Sequence, residues 1–105
     1  VLAFAPALWA LEVANTLVLA GRKRRLDAKQ LEQRIQFFRA LPLNLEHATS
    51  QTVFDSIRPL ATEHGLTVYD ATYLELALRL QAPLATVDTK LRAAAAKHGV
   101  YLSST

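Results

Sequence analysis

Three acidic residues sit in apolar segments of this chain. Glu12 interrupts Leu8-Trp9-Ala10-Leu11-Glu12-Val13-Ala14-Asn15, Asp70 follows a tyrosine in Thr67-Val68-Tyr69-Asp70-Ala71, and Asp88 closes Leu84-Ala85-Thr86-Val87-Asp88. A carboxylate among apolar neighbours is costly unless it is paired, hydrogen-bonded or bound to a metal. With no cysteine and only 3 histidines in the chain, the donors are carboxylate oxygens, which suit a hard divalent cation such as Mg²⁺. Each acid also has a purely structural explanation. Thr67-x-x-Asp70 has the form of a capping box, Asp88 can cap a following helix, and Glu12 can pair with an arginine. Those explanations leave Glu12-x-x-Asn15 in an apolar helix unaccounted for.

The elements that must carry these residues follow from periodicity and punctuation. Val1–Phe4 reads as the end of a short buried strand. Pro6 suits the first turn of a buried helix running to about Ala20, with Gly21 as its stop. Asp27 and Gln30 form a capping box for a second helix, whose apolar stripe is Leu31, Ile35 and Phe38. Pro42 ends it, and Leu43-Asn44-Leu45-Glu46 alternates as a strand does. Thr49 or Ser50 opens a third helix that Pro59 should kink or split and Gly65 should end. Thr67 caps a fourth helix with Leu74, Ala77 and Leu78 facing inward. Leu84–Val87 reads as a buried strand, Thr89 to His98 as a last helix ended by Gly99, and Val100–Leu102 as a terminal strand. Helices alternating with short apolar strands predict an α/β fold with a short, mostly parallel sheet. In such sheets ligands bind beyond the carboxyl ends of the strands, where Asp88 falls. Asp70 falls in the first turn of a helix, where the dipole favours negative charge.

Composition narrows the function classes. The chain has 105 residues, 51% hydrophobic and 20% charged, which predicts one domain or a piece of one, with a real core. It carries no cysteine, which removes disulfides and thiolate chemistry and fits a reducing, cytoplasmic setting. A net charge of +3 favours approach to a polyanion. The run Arg22-Lys23-Arg24-Arg25 can contact an RNA backbone, or can simply be a solvated turn. Trp9, Tyr69 and Tyr73 can stack on bases, although buried aromatics usually belong to a core. Residues 1–20 are apolar enough to raise a membrane question. Glu12 near their centre would cost several kcal/mol in a bilayer, so no membrane span is expected. His47, His64 and His98 show no zinc-site spacing, and no zinc site is expected. His64 and His98 each precede a glycine at a helix end, where an imidazole can satisfy last-turn carbonyls. There is no nucleophile-elbow motif and no glycine-rich phosphate loop.

The segment Pro6–Asn15 resembles the acidic helix of PIN domains of the VapC toxin type. His64-Gly65-Leu66-Thr67-Val68-Tyr69-Asp70-Ala71 resembles the next block of that family, and Leu84-Ala85-Thr86-Val87-Asp88-Thr89-Lys90-Leu91 the last, in the same order. The resemblance implies a PIN-like three-layer fold over residues 1–105, and a ribonuclease in which Glu12, Asp70 and Asp88 hold one or two Mg²⁺ or Mn²⁺ ions. In such an enzyme, water activated by the metal attacks the scissile phosphate in line. Asn15 and Thr86 would support the acids. It further implies an RNA substrate, a cognate antitoxin and a homodimer. PIN domains open with a strand ending in a further aspartate. The chain contains no methionine and begins at Val1, just ahead of the acidic helix, so an amino-terminally truncated domain is expected. The alternative is a catalytically inactive PIN-like module that serves dimerisation or antitoxin binding.

Overall fold

A computed structural model of the chain describes residues 3–84 and 89–100. These fall into two compact units, Val1–Leu45 and Glu46–Thr105. The fold class is the α/β class that the sequence predicts: mostly helical, with one short parallel pair of strands among the described residues.

The first unit runs β1 (Ala3–Pro6), α1 (Leu8–Arg22), α2 (Ala28–Arg39) and β2 (Leu43–Glu46), the last residue of which opens the second unit. β1 and β2 pair with each other, and Asn44 Nδ2 donates to the Ala3 carbonyl at 3.3 Å. Parallel strands need a crossover of a dozen residues or more, which α1 and α2 supply. Pro6 ends β1 and does not start the helix. Proline has no N–H to give to a strand ladder, and at a strand's end it loses little. The expected capping box is present: Gln30 N donates to Asp27 Oδ1 at 2.7 Å, and Asp27 N donates to Gln30 Oε1 at 2.9 Å. Leu31, Ile35 and Phe38 are the half-buried stripe of an otherwise exposed α2. The expectation of a buried α1 is corrected, because none of its residues is buried. Its apolar side faces α2 and β2, and Val13, Leu17, Ile35, Phe38 and Leu43 line an open groove of about 560 Å³. Trp9 closes edge-on against Phe38, with ring centroids 6.2 Å apart.

Gly21 does not end α1. It lies within the helix, and Arg24 takes the left-handed conformation at φ 55°. Arg25 N donates to Ala20 O at 3.0 Å and Arg24 N to Gly21 O at 3.1 Å, the paired bonds of a Schellman motif. All of Arg22–Arg25 is exposed in this turn. A methyl group on Gly21 would meet nothing within 4 Å. Gly21→Ala is therefore expected to stabilise the helix by about 1 kcal/mol, read as a rise in urea midpoint at unchanged slope.

The second unit is helical. Thr49 caps α3 (Ser50–Thr52), accepting from Thr52 N at 3.1 Å. A π-helical segment, Val53–Ile57, follows and leads into α4 (Arg58–His64). Pro59 is the cause of the widened turn. It has no N–H for Asp55 O, and its ring would clash with that carbonyl in a regular helix. Arg58 N–H reaches back to Val53 O, and the Phe54 carbonyl left over is taken by Arg58 Nε at 3.0 Å. The interruption expected at Pro59 thus takes the form of a π-helical segment just upstream of it. Gly65, at φ 63°, ends α4 as expected.

Thr67 caps α5 (Val68–Leu80), and α6 (Thr89–Lys97) packs on it. One core cluster is Leu74, Leu91, Ala94 and Ala95, joined by half-buried Leu60, Leu78, Leu84 and Val100. A second is Ile57, Ala61 and Ala71. The alanine run 93–96 is more than a good helix former, because the small side chains of Ala94 and Ala95 are buried in that core. Leu84 N donates to Val100 O, so the predicted inner and terminal strands meet at that pair. The remainder of both lies outside the described residues.

Candidate active site

Glu12 lies in the middle of α1 and is exposed, as are Asn15 and Thr16 one turn on. The expectation of a carboxylate among buried neighbours therefore fails for Glu12, since α1 presents this face to solvent. Thr16 Oγ1 donates to the Glu12 main-chain carbonyl at 3.0 Å, a local helix bond that leaves the carboxylate to other interactions. An exposed carboxylate of this kind is reachable by a large polyanion or a cation.

Asp70 is built differently. Thr67 adopts extended backbone just before α5, and its hydroxyl accepts from Asp70 N at 3.0 Å. The bond fixes Asp70 at the third position of the helix, half-buried, in the field of the free N–H groups of the first turn. Among the described residues the Asp70 carboxylate accepts no hydrogen bond, so the capping box is closed on one side only. Its chain neighbour Tyr69 is 66% exposed. Asp88 and Thr86 lie outside the described residues. Glu12 and Asp70 belong to different compact units.

The sequence reading missed Glu75, the one acid that is buried among the described residues. Glu75 is 8% exposed on the inner side of α5. Arg79 Nε donates to its Oε2 at 3.0 Å, and Arg79 Nη1 lies 3.9 Å from Glu46 Oε2. A buried carboxylate so engaged is a structural ion pair, and its signal was the i,i+4 spacing of Glu75 and Arg79.

Asp70 offers carboxylate oxygens of the kind that suit a hard divalent cation, half-buried at a helix start and with no protein hydrogen-bond donor on them among the described residues. No protein-family model matches the chain. The chain is 38% identical over 86 residues to Ribonuclease VapC3 of Pyrobaculum aerophilum, a match covering 78% of this chain and 63% of that protein. The chain is a VapC-like PIN domain. This VapC-like chain thus spans rather less than two thirds of its relative's length. No helix among its described residues is long and apolar enough to cross a membrane.

Proposed function

We propose that this VapC-like chain is a metal-dependent endoribonuclease, the toxin of a toxin–antitoxin pair, acting in the cytoplasm. Glu12, Asp70 and Asp88 are its catalytic and metal-holding acids, and Asn15 and Thr86 are their supporting residues. The observation that carries this reading is Asp70: a half-buried carboxylate at a helix amino terminus with no donor spent on it among the described residues, in a chain similar to a protein named a ribonuclease.

The chain's own residues prepare the reaction. Thr67 fixes the backbone at Asp70, so the carboxylate projects from a rigid first turn, and positioning of that kind lowers a barrier without new bonds. Bound Mg²⁺ or Mn²⁺ supplies Lewis acidity for the phosphate and acidifies water. Hydrolysis then joins a water oxygen to phosphorus as the bond to the 3′ oxygen breaks, and that oxygen leaves with a proton. The exposed cations Arg22, Lys23, Arg24 and Arg25 hold the RNA backbone without reading its sequence. A cognate antitoxin and a second copy of the chain are its protein partners. An antitoxin arginine placed against the acids would block them through a bidentate pair.

The test is cleavage of single-stranded RNA in Mn²⁺, with and without chelator. Cleavage that EDTA abolishes is the expected result. An intact RNA at every Mn²⁺ concentration, with partner or antitoxin binding retained, favours the alternative of a non-catalytic module for dimerisation or antitoxin binding.

A further inference from the structure

The carboxyl ends of α4 and α6 bring together two histidines that no sequence spacing connects. His64 is the last residue of α4, and His98 directly follows α6. Their Nε2 atoms are 2.9 Å apart, and the rings stand edge to face with centroids 5.0 Å apart. Glu63 Oε2 lies 3.8 Å from His64 Nε2, and one ligand atom from each of the three residues fits within a 4.8 Å group. The expectation that these histidines are scattered is thereby corrected for this pair.

We propose that Glu63, His64 and His98 form a binding site for a borderline transition-metal dication of the Zn²⁺ or Cu²⁺ class. Two imidazole nitrogens and a carboxylate oxygen are a donor set such ions favour and Mg²⁺ does not. The spacing fits as well. Two nitrogens bound at about 2.05 Å stand roughly 2.9 Å apart at a right angle, and roughly 3.3 Å apart at the tetrahedral angle. The observed 2.9 Å meets the first value and needs only a slight opening for the second. His64 is held in place, its side chain 7% exposed, whereas Glu63 at 54% is free to swing onto an ion.

Without metal the two rings share one hydrogen bond, one Nε2 donating and the other accepting. For both to bind an ion, the donating ring moves its proton to Nδ1, and each Nε2 then presents a lone pair. No proton leaves the pair, and water completes the coordination. The site contains none of Glu12, Asp70 and Asp88, so it is separate from the acids proposed for cleavage. It would tie the end of α4 to the end of α6, over the core that contains Leu91, Ala94 and Ala95.

Calorimetric titration of Zn²⁺ into the intact chain, in excess Mg²⁺ to occupy oxygen-rich sites, tests this directly. One Zn²⁺ per chain is expected, with affinity falling at least about tenfold in His64→Gln and in His98→Gln. Absence of Zn²⁺ binding, or equal binding by both variants, overturns the site and leaves the pair as a hydrogen-bonded staple. Electron paramagnetic resonance of Cu²⁺ on the unaltered chain gives an answer that does not depend on the variants folding. Splittings from two imidazole nitrogens are expected, and an oxygen-only signal overturns the proposal.

Discussion

Asp70→Asn is expected to lower Mn²⁺-dependent RNA cleavage by about 10³-fold, equivalent to about 4 kcal/mol of transition-state stabilisation. The substitution replaces one carboxylate oxygen by an amide and keeps the size of the side chain. It leaves the bond from Asp70 N to Thr67 Oγ1 intact, since that bond belongs to the main chain. The fold should therefore persist, and only the anionic donor is lost. Thr67→Ala separates the two roles of this helix start. It removes the cap at about 1 kcal/mol, so its effect is on stability and positioning while the acid itself remains. Single-turnover cleavage at saturating Mn²⁺, measured beside a urea denaturation curve for each variant, distinguishes them. A cleavage rate for Asp70→Asn within a few-fold of the unaltered chain would remove Asp70 from the site.

The largest expected stability change comes from the other face of α5. Leu74 is fully buried in the cluster with Leu91, Ala94 and Ala95. Leu74→Ala should cost about 3 kcal/mol, the lost transfer energy plus the cavity left behind. Neighbouring alanines cannot fill that cavity, because they have no side-chain length with which to reach it. Against a total stability of about 5–15 kcal/mol, such a loss is a large fraction. Leu78→Ala, at a half-buried position of the same helix, should cost clearly less. The check is the urea midpoint of each variant. Equal midpoints for the two would mean that α5 does not pack on α6 through Leu74.

How much of this was legible in the sequence depends on the range of the interaction involved. The caps at Asp27, Thr49 and Thr67 were readable because each acts within three residues. Gly65 and Gly99 announced the ends of α4 and α6, both at positive φ. Arg24 and Gln81 end α1 and α5 in the same left-handed conformation, at φ 55° and 51°. Neither residue type signals that geometry, so α1 was expected to stop before Gly21. At the end of α5 the bonds are again paired, Ala82 N to Ala77 O at 3.0 Å and Gln81 N to Leu78 O at 3.2 Å.

Burial was harder to read than helix position. The α2 stripe came out as expected because only one side of that helix is covered. On α5, Glu75 and Leu76 are buried as well as Leu74 and Ala77, so its covered face is wider than a single apolar stripe. Glu12 was expected among buried neighbours because the residues around it are apolar, yet exposure is decided by what packs on α1. The pairing of His64 with His98 depends on where two helix ends arrive in space, which no local pattern encodes. Asp70 was readable as part of a capped helix start. Whether it joins Glu12 and Asp88 is the question on which the proposed function turns.

The most direct test is a calorimetric titration of Mn²⁺ into this chain beside its Asp70→Asn/Asp88→Asn variant. Both proteins are to carry His64→Gln and His98→Gln, so that imidazole sites contribute nothing. Binding by the parent that disappears in the variant is the expected result, and places the metal on the carboxylates. Equal binding by both, or binding by neither, would contradict a carboxylate metal site on this chain.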